Sequence, residues 1–112
     1  MKMEEVSFEE WKRLKLKVGR ILEVEDIPNA DKLYLLKIDV GDKKIQVVAG
    51  IKKYYKKEEL KNMLCIVFVN LKPALIRGIK SEGMILAAVN KNKDKVCLLQ
   101  PEKQIEVGSD VE

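Results

Sequence analysis

Ser7-Phe8-Glu9-Glu10 matches the capping box S-x-x-E, with Ser7 as N-cap and Glu10 three positions on. Phe8 and Trp11 then share one face of a short helix that ends near Arg13. From Leu14 the period falls to two. Leu14, Leu16, Val18, Leu22 and Val24 alternate with polar neighbours, which predicts a long strand. Gly19-Arg20-Ile21 disturbs the alternation and marks a bulge or sharp bend. Ile27-Pro28-Asn29-Ala30-Asp31 has the composition of a turn. Tyr34, Leu36, Ile38 and Val40 alternate again, Gly41-Asp42-Lys43 turns the chain, and Ile45, Val47 and Ala49 return it as a hairpin. A short helix is expected over residues 56–61, and apolar runs predict buried strands at 64–69 and 84–89. A polar turn at 90–95, a short strand at 96–99 and a tail with Pro101 and Gly108 complete the order.

Five strands with a helix between the third and fourth is the element order of the OB-fold, a five-stranded Greek-key barrel. The expected class is therefore all-β, with a short N-terminal helix and extra β structure at the C-terminus. At 112 residues the chain reads as one domain. Residues 1–13 would form the helical segment, 14–89 the barrel and 90–112 an extension. A domain of this size buries roughly 65% of the surface its unfolded chain exposes.

Composition excludes several chemistries. The chain has no His, which removes Ser-His-Asp and Cys-His nucleophiles and imidazole metal sites. Cys65 and Cys97 sit in apolar runs without zinc-like spacing and read as reduced, buried thiols, so no metal and no cofactor is expected. Gly78-Ile79-Lys80-Ser81-Glu82-Gly83 has the glycines of a phosphate loop, but Met84 stands where Walker A needs Lys. Glu9-Glu10 and Glu58-Glu59 belong on exposed helix surface rather than in an acid/base couple. The chain is not expected to be an enzyme. Residues 1–6 lack the apolar core of a signal peptide, and the longest apolar run, 63–69, is far short of a membrane span. A cytoplasmic protein with no membrane contact is expected.

Charge is concentrated in the middle of the chain. The formal net charge is +4, but residues 27–90 alone carry twelve cations against six anions. Such a local excess favours an anionic partner. Two basic stretches stand out. In Lys52-Lys53-Tyr54-Tyr55-Lys56-Lys57, cations flank aromatic rings, as in single-strand nucleic-acid binders. The other reading is a solvated loop leading into the short helix, with the Tyr rings packed over the barrel end. In residues 70–84, Lys72, Arg77, Lys80, Asn70 and Ser81 gather in a Gly- and Pro-punctuated loop suited to phosphate contacts. The whole chain has six aromatic residues, too few and too scattered for general stacking on splayed bases.

Asn70-Leu71-Lys72-Pro73-Ala74, Arg77-Gly78 and Ser81-Glu82-Gly83-Met84 resemble the signature of the structure-specific tRNA-binding domain family. So do Pro28-Asn29-Ala30-Asp31-Lys32-Leu33-Tyr34 and Leu16-Lys17-Val18-Gly19-Arg20-Ile21. Gly50, Glu58-Glu59-Leu60 and the tail with Gly108 fall in register, so the resemblance covers nearly the whole chain. It implies an OB-fold that grips the outer corner of folded tRNA without reading sequence. It also implies a homodimer, and action beside an aminoacyl-tRNA synthetase such as the methionyl enzyme. Carried over by motif position, the tRNA-facing set is Lys32, Asn70, Lys72, Arg77, Lys80, Ser81 and Met84. Within that set, Met84 can equally be core, Asn70 can brace its own loop, and Lys32 can pair with Asp31 or Asp26. Many family members have His before the loop Pro where this chain has Ile27, one polar contact fewer.

Some stand-alone relatives are chaperone-like and linked to protein export. On that alternative, Phe8, Trp11, Leu98 and Leu99 would line a peptide groove. The preferred reading makes Phe8, Trp11, Leu98, Leu99 and Pro101 the dimer contact. With no catalytic synthetase domain in the sequence, the chain is expected to act as a free protein, a separate subunit or an excised domain.

Overall fold

The computed structural model describes residues 3–112; Met1 and Lys2, the start of the segment read as lacking a signal peptide, lie outside the described residues. Along β1 (Leu16–Ile27) the buried face changes sides at Gly19. Leu16 and Val18 point to a small outer core, whereas Gly19 and Ile21 point to the main one. A Cβ at Gly19 would lie 2.8 Å from Ile38 Cγ2 and 3.1 Å from Val67 Cγ2, so only a glycine lets the strands cross this closely. The register then slips at Leu22, between Ile21 and Glu23. The break in alternation is thus one strand serving two cores.

Around β1 the other strands assemble in antiparallel order. The first half of β1 pairs with β4 (Leu64–Phe68) and the second half with β2 (Ala30–Asp39). β2 in turn pairs with β3 (Lys44–Ala49). In β4, Leu64 and Ile66 fill the outer core while Cys65 and Val67 fill the main one, which is why this strand reads as continuously apolar. Burial pushes the Cys65 thiol up to about 12. The helices are brief. α1 (Phe8–Trp11) has the expected capping box, with Glu10 N–H donating to Ser7 Oγ and Ser7 N–H to Glu10 Oε1, both at 3.1 Å. α2 (Lys57–Leu60) buries Leu60 against the main core.

The expected five-stranded Greek-key barrel does not form. The sheet is an open path, β3-β2-β1-β4-β7, in which β7 is Met84–Ile85, with β10 (Asp110–Val111) added beside the start of β1. The physical reason lies between β6 (Ile79–Ser81) and β7 (Met84–Ile85). At Gly83 a Cβ would stand 2.8 Å from Phe68 O and 3.2 Å from Ile45 Cδ1, so the chain passes close to β4 and β3 there, but the β3 N–H groups that a closing strand would pair are taken by side chains. Side chains and one backbone bond bridge the gap instead. Val48 N–H donates to Ser81 Oγ at 3.0 Å, Gln46 N–H to Glu82 Oε1 at 2.9 Å, and Glu82 N–H to Gln46 O at 2.9 Å.

Two further expectations change. The stretch read as a long loop contains a hairpin, β5 (Ala74–Ile76) with β6. The single strand expected at 84–89 divides at Leu86 into β7 and β8 (Ala87–Val89). Leu86 itself donates its N–H to Ile66 O and accepts from Leu99 N–H, so it passes the chain from one sheet to another. β8 then pairs with β9 (Val96–Leu98). The tail returns across the outer face, where Val107 and Val111 cover the small core.

Candidate nucleic-acid interface

The site is built from two turns that the fold brings to one end. The β1–β2 turn has Pro28 followed by Asn29 at φ 62°, the residue order of a tight turn with a left-handed second position. The β5–β6 turn is Arg77-Gly78, with φ of 53° and 78°. Two positive values in succession define the primed turn that matches strand twist, and Arg there costs about 1 kcal/mol or more. Arg77 Nη1 donates to Asn29 O at 3.2 Å, tying the tips of the two turns together.

The hairpin stands on β3. Besides the Ser81 bond, Gln46 Nε2 donates to Lys80 O at 2.8 Å. Cross-strand pairing puts Leu75 and Lys80 together on the outer face of the hairpin, where Leu75 is 76% exposed. Lys72 is exposed in the loop before β5, and Lys32 is exposed early in β2. Among the described residues none of Lys32, Lys72, Arg77 and Lys80 forms an ion pair. The pairing considered for Lys32 does not occur, because Asp26 is occupied by Lys52 at 2.9 Å and Lys57 at 2.6 Å. Those two ammonium groups, Lys57 foremost, hold the Asp26 carboxyl below its usual range, and Asp26 raises Lys57 in return.

The remaining candidates divide. Met84 is 44% exposed, opposite Phe68 at the base of the loop, so it is not core. Ser81 is buried, its hydroxyl accepting from Val48 N–H and donating to Gly83 O, so it faces β3 and not solvent. Asn70 braces the fold across a long sequence separation rather than its own loop. Its Oδ1 accepts from Lys15 N–H and its Nδ2 donates to Arg13 O, each at 2.8 Å. Sequence reasoning missed Gln46 and Glu82, which seat the hairpin. An alternating strand hides such partners, because their role depends on which edge is left unpaired.

The Lys52–Lys57 segment also divides. Tyr55 packs against the main core, accepting at its hydroxyl from Leu98 N–H and at its carbonyl from Tyr34 Oη. Lys53, Tyr54 and Lys56 remain exposed.

Of the expected dimer residues, Leu98 is buried in this chain's own main core and is not available to a partner, because β9 is seated by Tyr55. Phe8 is 68% exposed, Trp11 and Leu99 are exposed, and Pro101 is half-buried. Phe8 and Trp11, with Leu14, Leu16 and Val111, line a groove of about 510 Å³. Cys97 is exposed rather than buried, since β9 turns Leu98 inward and its neighbour outward. Among the described residues there is no cluster of three or more metal-ligating carboxylates, thiols or imidazoles, and no helix is long and apolar enough to cross a membrane.

Methionine–tRNA ligase of Thermococcus kodakarensis is 50% identical over 108 residues, 96% of this chain and 14% of the ligase. The Pyrococcus furiosus ligase is 49% identical over 98% of this chain and 15% of its own length. The chain therefore spans a small part of those enzymes. Among solved structures, a methionyl-tRNA-synthetase-related protein from Pyrococcus horikoshii superimposes with a TM-score of 0.92 at 33% identity, covering 98% of this chain and all of that one. Chaperone CsaA of Bacillus anthracis gives 0.87 at 31% identity, over 97% of this chain and all of its own. The model of the putative tRNA-binding domain matches residues 16–110, from the start of β1 into β10, and the chain belongs to that family.

Proposed function

We propose that this domain binds tRNA through Lys32, Lys72, Arg77 and Lys80, with Met84 as a flexible apolar contact, and that it recognises the folded outer corner without reading sequence. One observation carries the reading: four cations free of ion pairs among the described residues stand on β2, on the β5–β6 hairpin and on the loop leading into it, with the tips of the β1–β2 and β5–β6 turns joined by the Arg77–Asn29 bond. Cations of this kind neutralise phosphates, which position an RNA but do not specify bases. Asn70 and Ser81 act one step back, holding the loop and hairpin that carry the charges. The domain would work beside a synthetase of the methionyl type, raising local tRNA concentration without adding specificity.

The test is binding to a native tRNA pool, folded and unfolded, across a salt series. Affinity should fall with salt by about 0.7–0.9 in log–log slope per phosphate contact and should be lost on unfolding the RNA. Lys72→Glu with Lys80→Glu should abolish it while leaving the thermal midpoint in place. Retained affinity in that variant sinks the site.

The groove at Phe8 and Trp11 supports two further readings that compete for the same surface. In the first it pairs two copies of the chain. In the second it holds an unfolded peptide, in keeping with the chaperone name of its CsaA relative. Phe8→Ser with Trp11→Ser distinguishes them. A dimer by sedimentation that becomes monomer supports pairing; a monomeric wild type that loses client holding in the variant supports the chaperone reading.

A further inference from the structure

The turn from Lys52 to Lys57 is held more firmly than its charge would lead one to expect. Asp26 clamps both ends through Lys52 and Lys57. Tyr54 and Tyr55 N–H groups both donate to Ile51 O, at 2.9 and 3.2 Å, and Lys56 N–H donates to Glu59 Oε1 at 2.7 Å. Tyr55 is locked between Tyr34 and Leu98. What this scaffold leaves outside is Lys53, Tyr54 and Lys56. Tyr54 is 40% exposed, and neither lysine forms an ion pair among the described residues. Glu58, the nearest unpaired anion in sequence, lines a different groove, between α2 and β1 with Glu23 and Glu25. The platform also adjoins the interface described above, because Lys52 N–H donates to Lys32 O at 3.3 Å.

An exposed ring on a firmly held turn, with two unpaired lysines beside it in sequence, suits an unpaired nucleobase on a phosphate backbone. Stacking needs an open π-face on a well-placed backbone, and the adjoining phosphates need charge that is not already neutralised. We propose that Lys53, Tyr54 and Lys56 form a second RNA contact, in which Tyr54 stacks on an unpaired base of the bound RNA and the two lysines take its flanking phosphates. This rests on the tRNA-binding reading and extends the same face past Lys32.

The experiment measures affinity for the native tRNA pool over a salt series, with each variant's thermal midpoint checked first. Tyr54→Ala should weaken binding by about five- to tenfold, the low end of what one stacked base contributes. Tyr54→Phe, which keeps the ring, should bind as wild type does. Lys53→Gln with Lys56→Gln should reduce the salt slope by roughly 1.4–1.8, two phosphate contacts' worth. If all three variants keep wild-type affinity and slope while the Lys72→Glu, Lys80→Glu protein loses binding, the second contact is wrong and the main site stands. Equal losses for Tyr54→Phe and Tyr54→Ala would overturn stacking, since the hydroxyl would then be the contact. A wild type with no salt-dependent tRNA binding overturns both readings.

Discussion

Arg77 Nη1 reaches the carbonyl oxygen of Asn29 at 3.2 Å, across 48 residues of chain, and both residues have left-handed backbone. The β1–β2 turn closes the Ile27–Ala30 pair of the main sheet, whereas the β5–β6 turn closes only its own two-stranded ladder. The bond joins one tip to the other, so the angle of the β5–β6 hairpin depends on a side chain. Arg77→Asn keeps a residue that tolerates positive φ and removes the long tether. The thermal midpoint should stay nearly unchanged while the amides of the hairpin exchange faster. Unchanged protection would mean that β3 alone holds the hairpin.

Asn70 makes two hydrogen bonds to the backbone on either side of Leu14. Asn70→Ala should cost about 1–2 kcal/mol, two ordinary net hydrogen bonds. Because no phosphate charge is removed, tRNA affinity should drop without a change in salt slope. A lower slope would instead give Asn70 a direct place in the ionic contact.

Asp26 between Lys52 and Lys57 carries a pH signature. Its folded carboxyl lies below the ordinary 3.8, so its contribution is complete above 3.8 and is lost as pH falls through the lower folded value. Lys57 is raised above 10.5, so its share is complete below 10.5 and is lost as pH rises through the folded value. The difference in thermal midpoint between wild type and Asp26→Asn should therefore be flat through neutral pH and close in acid. The pair is exposed, so the difference should also shrink in salt. A gap that persists in strong acid would assign the effect to packing.

Gly41 and Gly108 meet backbone to backbone. A Cβ on Gly41 would stand 2.7 Å from Gly108 Cα, and Gly41 has φ 102°. Gly41→Ala should destabilise by about 1–3 kcal/mol from backbone strain alone, with the clash adding to it. Gly78→Ala is the control, since φ is 78° there but nothing lies within 4 Å of the new methyl. Equal losses in urea unfolding would show that the tail does not press on the β2–β3 turn.

Local features were legible because their causes are local. The Ser7–Glu10 box, the Pro28-Asn29 turn and the alternating strands around Gly41-Asp42-Lys43 depend on residues within a few positions of one another. The β5–β6 hairpin was hidden because its turn carries Arg where Asn or Gly usually signals one. Family motifs located the tRNA-facing segments but could not separate side chains that face outward from those that hold the segment in place. Ser81 and Asn70 are polar residues in a polar loop by sequence, and both are bound by hydrogen bonds to segments distant in the chain, Ser81 to β3 and Asn70 to the stretch before β1.

The sequence by itself determined the order of the main strands β1 to β4 and of the two helices, the central excess of positive charge and the family, since periodicity, composition and motif order are properties of the chain. Only the tertiary structure decided that the sheet stays open, that Leu98 belongs to the main core and that Lys53, Tyr54 and Lys56 face out. Closure depends on whether backbone or side chains take the β3 N–H groups of Gln46 and Val48, and exposure depends on what packs from elsewhere. Steric fit between segments far apart in sequence sets both.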